Sequence, residues 1–339
     1  MKLLILTQKV DKNDDILGFF HGWLLEFAKH VDQLTVICLQ KGEYDLPENV
    51  KVLSLGKEKN VAFIEYITRF YRYIFSERKN YDTVFVHMNP EYVVLGGWLW
   101  RLMDKKIALW YTHKSVDIKL RIAEKIVHKI FTVSKESFRL KSKKVNIMGH
   151  GINLDKFQTT NPKPKTDTKF QIVTVGRISK TKNTGFLLEV ADVLRKKNFD
   201  FYIKIAGAPI TKKDELYFEK LRHFVSKRKL GDNVEFTGSI PYEHIDKFYQ
   251  FADLFINLSD TGSIDKVVLE AMASGIHVIT SNEAFVPVLH GELMVEKDPK
   301  QISERIIKLS EQEPSKSLKG YVEKNHNLCG LISKVLNNI

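Results

Sequence analysis

Short apolar runs recur along the 339-residue chain, separated by longer stretches whose apolar positions repeat every three to four residues. Runs of strand character fall at 2–8, 33–39, 50–55, 82–87, 107–112, 129–133 and 144–148. Amphipathic helical stretches lie between most of them, at 18–30, 61–78, 91–104 and 116–128. The segment 159–168 is polar, holds two prolines and has no period, which marks a linker. The alternation then restarts. Strands are expected at 170–176, 201–206, 233–236, 253–258 and 276–280, and helices at 183–197, 213–229, 242–251, 266–274, 299–311 and 319–337. Such alternation specifies parallel sheets covered on both faces, because every crossover helix must pack on the sheet it rejoins. The predicted fold is α/β, with two Rossmann-like, doubly wound parallel-sheet domains facing each other across a cleft. The first covers 1–158 and, after the linker 159–168, the second covers 169–318. A closing helix at 319–339 is expected to pack back on the first domain.

Composition narrows the class without changing the fold. With 43% apolar and 28% charged residues the chain reads as globular. Cys38 and Cys329, the only cysteines, both stand among apolar neighbours, so no disulfide framework, zinc cluster or other metal site is expected, and a reducing, cytoplasmic address follows. The opening residues turn polar too soon for a signal peptide and suit a first strand. The apolar stretch 93–100 ends at Arg101, well short of the ~20 residues that a membrane span needs.

The formal charge of +12 is uneven. Ten lysines and arginines between 114 and 144 face only Asp117, Glu124 and Glu136, and the stretch 64–75 mixes aromatics with arginines at helical spacing. That pattern suits peripheral docking on the anionic inner face of a membrane, at about 1 kcal/mol per basic residue near the surface. A solvated lysine face beside an ordinary core helix explains it equally well. Nucleic acid is not expected as a partner, since no binding motif accompanies the charge.

Two loops carry candidate chemistry. Between the apolar runs 253–258 and 276–279, the segment Asp260-Thr261-Gly262-Ser263-Ile264-Asp265 leads from a strand end into a short helix that begins near Lys266 and Val267 and holds Glu270. Backbone N–H groups and the positive dipole end meet at such a junction, so an anion can bind there, and the Glu270 carboxylate can accept hydrogen bonds from sugar hydroxyls. The second loop follows the strand ending at Gly176. Its Arg177 can fork onto a diphosphate while Lys182 acts as a point charge. Both could instead face solvent, as Lys180 is expected to do. No Gly-x-Gly-x-x-Gly and no P-loop opens either half, so nicotinamide, flavin and ATP-hydrolysis readings lack their usual warrant and no cofactor is expected. Weaker acceptor-side candidates are Gly18, His21 and His87, where a helix-start glycine or a core histidine is the plainer reading.

Three blocks in order bring a family into view. These are Gly176-Arg177 with Lys182-Asn183, then Phe236-Thr237-Gly238-Ser239-Ile240-Pro241, then Leu269-Glu270-Ala271-Met272-Ala273 with Gly275, with Gly149-His150-Gly151 upstream. Together they resemble family-4 glycosyltransferases, retaining enzymes of the GT-B fold. The likeness is good over about 105–285. It implies that Arg177 and Lys182 hold the diphosphate of a UDP- or GDP-sugar and that Glu270 takes the ribose hydroxyls. It further implies that the backbone at Ser239 and Ile240 meets the base, that loop 262–267 meets sugar and phosphate, and that His113 lies near the reacting face of the donor sugar. One departure stands out. The family commonly carries Glu-x7-Glu, and the first glutamate falls on Gly262, with Asp260 and Asp265 flanking it. Either acid could reach the donor sugar, or Asp265 could only cap the helix.

The expected activity is transfer of a sugar from a nucleotide-diphosphate donor to an acceptor hydroxyl, the acceptor being a lipid-linked or cell-surface glycan. A non-catalytic sugar-nucleotide-binding relative and a nucleotide-sugar epimerase of the same fold are the alternatives.

Overall fold

The computed structural model describes residues 1–157, 169–289 and 291–339; the expected linker at 159–168 lies outside them. The chain divides into two units, one of residues 1–153, 241–243 and 326–339, the other of 154–240 and 244–325.

The first unit alternates β1 (Lys2–Val10), α1 (Phe19–His30), β2 (Gln33–Lys41), β3 (Val50–Ser54), α2 (Phe63–Ser76), β4 (Thr83–His87), α3 (Pro90–Leu102), β5 (Lys106–Trp110), α4 (Ile118–Ile126), β6 (Lys129–Thr132) and β7 (Val145–Ile147). All strands pair in parallel, in the order β3-β2-β1-β4-β5-β6-β7. β1 lies inside the sheet and is covered on both faces, which is why Leu3, Leu4, Ile5 and Leu6 are all fully buried without alternation. Helix starts follow local chemistry. Pro90 opens α3 where its missing N–H costs nothing, and the Asp117 carboxylate accepts the Leu120 N–H at the start of α4. Gly96 and Gly97 let α3 close on its neighbours. A Cβ at Gly96 would stand 2.7 Å from Trp100 and 3.0 Å from Phe70 of α2, and one at Gly97 2.5 Å from Ile126 of α4.

The second unit holds β8 (Phe170–Val175), α5 (Thr184–Lys196), β9 (Phe201–Ala206), α6 (Lys212–Lys227), β10 (Val234–Gly238), α7 (Ile245–Gln250), β11 (Leu254–Asn257), α8 (Lys266–Ala273), β12 (His277–Thr280), α9 (Pro299–Ser310) and α10 (Lys316–His326). Its five parallel strands run β10-β9-β8-β11-β12. In both sheets the strand order reverses direction at one place, between β1 and β4 and between β8 and β11.

The chain ends in α11 (Leu328–Asn337), and here the single helix expected over 319–337 is corrected. Ile152 donates to the His326 carbonyl at 2.7 Å and accepts from the Leu328 N–H at 3.0 Å, so the backbone is extended between two helices. The Asn327 side chain then caps α11 through the Cys329 N–H. Cys38 is buried as expected, but Cys329 is exposed, because the face of α11 buried on the unit is formed by Leu328, Leu331, Ile332 and Val335.

Candidate functional site

In an open parallel sheet the loops beyond the strand ends splay apart where the strand order reverses, leaving a crevice that ligands use. In the second unit that place lies between β8 and β11, and the two loops leaving it are the two that the sequence singles out. They are bonded to each other. The Asp260 N–H donates to the Thr181 carbonyl at 2.9 Å, and the Asn183 amide donates to the Leu258 carbonyl and the Asp260 carboxylate, each at 2.8 Å. The Lys182 stem lies across Gly176, whose absent Cβ would stand 3.5 Å from Lys182 Cε. Its ammonium reaches Asp265 Oδ1 at 3.1 Å, while Arg177 is exposed at the mouth of the same loop.

Asp265 stands at the N-cap position of α8 yet its side chain caps nothing. Besides Lys182, its carboxylate accepts from Thr261 Oγ1 at 3.1 Å, Asn257 Nδ2 at 3.2 Å and Asn282 Nδ2 at 3.4 Å. Four donors occupy it, so it is a hub that holds the loop and Lys182. Asp260 is the more open acid, with its side chain 55% exposed and Lys297 and Asn183 beside it. Gly262 has φ +58°, in the left-handed region where a side chain is strained. The glutamate of the family pattern is thus missing from a backbone shape that disfavours it. Ser263 follows, its carbonyl held by the Asn282 amide at 2.8 Å.

Glu270 faces inward from α8 and is 1% exposed. Lys266, one turn earlier, brings its ammonium to 3.1 Å from Oε1, and the Tyr249 hydroxyl donates to Oε2 at 3.3 Å and also contacts the Val267 carbonyl at 3.3 Å. Burial pushes the Lys266 ammonium below its ordinary pKa, and the Glu270 charge pulls it back up. Among the described residues the Lys266 ammonium is the one group set against Oε1, which leaves this buried oxygen a further lone pair. A buried carboxylate oxygen with acceptor capacity to spare suits a hydroxyl-bearing ligand.

The neighbouring strand ends bring up three glycines. Gly207 follows β9 at φ +141°, and a Cβ there would stand 2.0 Å from the Gly176 carbonyl oxygen. Its N–H donates to the Gly238 carbonyl at 2.8 Å, and Gly238, at φ +75°, passes the chain to exposed Ser239 and half-buried Ile240. At the start of α6, Thr211 and Asp214 form a reciprocal cap. The Thr211 hydroxyl, with a smaller share from Arg177, holds the Asp214 carboxyl below its ordinary range.

In the first unit His113 is exposed three residues beyond β5, its Nδ1 accepting the Ser115 N–H at 3.1 Å. Gly18 precedes α1 and admits no side chain, since a Cβ would stand 2.3 Å from the Asp14 carbonyl oxygen. His21 accepts the Asp45 N–H at 3.1 Å through Nε2, and partial burial lowers its pKa. His87 is a core histidine, stacked on Phe20 at 4.0 Å between ring centroids and sharing a hydrogen bond with Thr7 at 3.2 Å. Burial pushes its pKa down to about 3, and that of His326 to about 4. Both are neutral when folded but titrate near 6.5 when unfolded. Their stabilising contribution is therefore complete above pH 6.5 and is lost as pH falls from there toward 4 and 3. Near pH 5 each should contribute a slope of about 1.4 kcal/mol per pH unit. Urea unfolding across pH 4–7 checks this, and His87→Asn is expected to flatten the curve by one such increment.

A cavity of about 290 Å³ also lies in this unit, walled by Leu39, Leu55, Tyr66, Phe70, Tyr92 and Leu95, with Gln8, Asn89 and Glu91 as its polar lining. Glu26, His30 and Cys329 bring ligand-type atoms within 4.8 Å of one another, but Lys29 already neutralises Glu26 at 2.7 Å.

The sequence reading missed Asn257, Asn282 and Tyr249, and it gave Asn183 a place in a motif but no role in setting the loop. Their only signal was a polar group at the end of a buried run, as in Leu254-Phe255-Ile256-Asn257.

The amylovoran biosynthesis glycosyltransferase AmsK of Erwinia amylovora is 25% identical over 183 residues, which cover 51% of this chain and 43% of that protein. An alpha-monoglucosyldiacylglycerol synthase of Streptococcus pneumoniae is 28% identical over 156 residues, covering 42% and 34%. The chain spans less than half the length of these relatives. Anabaena HepE, crystallised with UDP, superposes with a TM-score of 0.76 over 99% of both chains at 14% identity, a likeness of fold alone. The two parallel-sheet, Rossmann-like units are those of the GT-B fold. The sequence pattern of the glycosyl transferases group 1 matches residues 155–327, just over half of the chain, and the protein belongs to that family.

Proposed function

We propose that the protein is a retaining family-4 glycosyltransferase that moves a sugar from a UDP- or GDP-sugar to an acceptor hydroxyl. The observation that carries this reading is the meeting of the Arg177–Lys182 loop with the 260–265 loop at the strand-order reversal, beside the buried carboxylate of Glu270. On this reading Arg177 and Lys182 meet the diphosphate without a metal, and the N–H groups at the start of α8 add positive potential. Glu270 takes the ribose hydroxyls and the backbone at Ser239 and Ile240 meets the base. Asp260, the more exposed acid, reaches the donor sugar, and the family resemblance implies a part for His113 at its reacting face. The bond from the sugar carbon to the phosphate oxygen breaks as the acceptor oxygen bonds to the same face. The acceptor proton passes to the departing diphosphate, whose growing charge the two cations stabilise.

The apolar cavity of the first unit favours an acceptor with a hydrocarbon part, in keeping with a lipid-linked glycan and with work at the inner face of a membrane. Among the described residues no helix is long and apolar enough to cross one.

Calorimetry with UDP and GDP tests the donor site. Arg177 is exposed, so Arg177→Ala is expected to leave stability unchanged while weakening binding of the preferred diphosphate roughly 10- to 100-fold. Equal affinity in wild type and variant would remove Arg177 from the site, and no affinity for either nucleotide would overturn the function.

A further inference from the structure

Two adjoining helices of the first unit expose apolar side chains interleaved with cations. On α3 the exposed positions include Leu95, Trp98, Arg101 and Leu102, and on α4 Ile118, Arg121, Ile122 and Lys125. Each set has the spacing of one helix face. Trp98 is 66%, Ile118 72% and Leu102 84% accessible, while Leu95 and Ile122 are a little over one-third exposed. The close approach at Gly97 and a 2.8 Å hydrogen bond from Arg101 Nε to the Ile126 carbonyl keep the helices side by side.

The charged residues at the exposed ridge positions are all basic. The two helices carry Arg101, Lys119, Arg121 and Lys125 against Glu91 and Glu124. Glu91 is paired with Lys119 at 2.8 Å, and Glu124 accepts from Ser142 at 2.7 Å. An exposed indole flanked by leucine, isoleucine and basic side chains matches the headgroup layer of an anionic bilayer, where the ring is half-wet and the cations meet phosphates.

We infer that the first unit docks on an anionic membrane surface through the α3–α4 ridge. A second copy of the chain fits less well. Ridge on ridge about a two-fold axis would bring Arg121 and Lys125 against like charges. The inference does not depend on the donor reading, because no residue of the ridge belongs to the nucleotide site. From the basic cluster that the sequence offered, the ridge takes Arg121 and Lys125, and it adds α3, which the sequence offered only as an apolar stretch; α2 buries Phe70 and Ile74 but also exposes Phe63, Ile64 and Phe75.

Vesicles of phosphatidylglycerol and phosphatidylcholine test it on the intact protein. The other three tryptophans, Trp23, Trp100 and Trp110, are at most 2% exposed, so a blue shift of emission on binding reports Trp98 and should vanish in Trp98→Phe. Co-sedimentation is expected with anionic vesicles, weakened by salt, and absent with phosphatidylcholine alone. Arg121→Glu with Lys125→Glu, and separately Trp98→Glu, should reduce partitioning by about tenfold or more while UDP or GDP affinity stays at the wild-type value. Wild-type partitioning by both variants, or no binding to anionic vesicles at low salt, would overturn the inference. So would a concentration-dependent dimer dissolved by Trp98→Glu, which assigns the ridge to a second copy. Vesicle binding without nucleotide affinity would sink the donor reading alone.

Discussion

Glu270→Ala is expected to lose about 3–5 kcal/mol of stability and all measurable donor binding. The stability loss comes from Lys266. Its ammonium, 3.1 Å from Glu270 Oε1, is largely buried and is already pushed below its ordinary pKa, so removing the carboxylate leaves a charge in low dielectric without the group that offsets it. The binding loss comes from Oε1 and Oε2, which are assigned to ribose hydroxyls. A single substitution mixes the two effects, so a second variant separates them. Replacing the pair together, Lys266→Met with Glu270→Leu, removes both charges and fills a similar volume, and is expected to recover most of the stability without restoring binding. Urea unfolding measures the first quantity and calorimetry with UDP and GDP the second. If the double variant binds nucleotide like the wild type, Glu270 is a structural partner of Lys266 and Tyr249 and the ribose assignment fails.

Gly207→Ala should be nearly as damaging, although Gly207 lies in none of the sequence motifs. Its φ of +141° is closed to an ordinary side chain, and the new Cβ would stand 2.0 Å from the Gly176 carbonyl oxygen and 2.8 Å from its carbon. That atom is backbone and cannot rotate away. Either β8 and β9 separate at their carboxyl ends or the peptide turns, and both displace Arg177, whose N–H is 3.5 Å from the same point. The expected result is a loss of about 2–4 kcal/mol together with nucleotide affinity. Thermal unfolding and calorimetry measure the two. A variant of wild-type stability and affinity would mean that the β8 loop accommodates the methyl group, so that its shape does not govern donor binding. Gly231, with nothing within 4 Å of its Cβ position, serves as the control, and Gly231→Ala should be close to neutral.

The fold was largely legible because parallel sheets announce themselves. Each strand buried on both faces is an unbroken apolar run, as in Leu3-Leu4-Ile5-Leu6, and each crossover is an amphipathic stretch, so positions of strands and helices followed within a few residues. The break at 326–328 was not legible. It exists because Ile152, distant in sequence, bonds to both sides of Asn327. The exposed face of α3 was hidden for a related reason. Apolar character alone does not tell which side of a helix is covered, and only the packing of Gly96 and Gly97 decides it.

At the site the division is sharper. The amino-acid sequence by itself determined which two loops stand out as candidates, the presence in them of the cations Arg177 and Lys182 and the acid Glu270, and the absence of a glutamate at 262. These follow from residue types and their spacing along one chain. Only the tertiary structure decided that Asp265 serves Lys182, Asn257, Thr261 and Asn282 rather than the helix end, and that Gly262 sits in a left-handed backbone. It alone brought Lys266 and Tyr249 onto Glu270. The reason is physical. Spacing fixes which side chains share a strand or helix, whereas a carboxylate's partners are chosen among donors that reach it from other elements, and those donors are neighbours only once the sheet has formed.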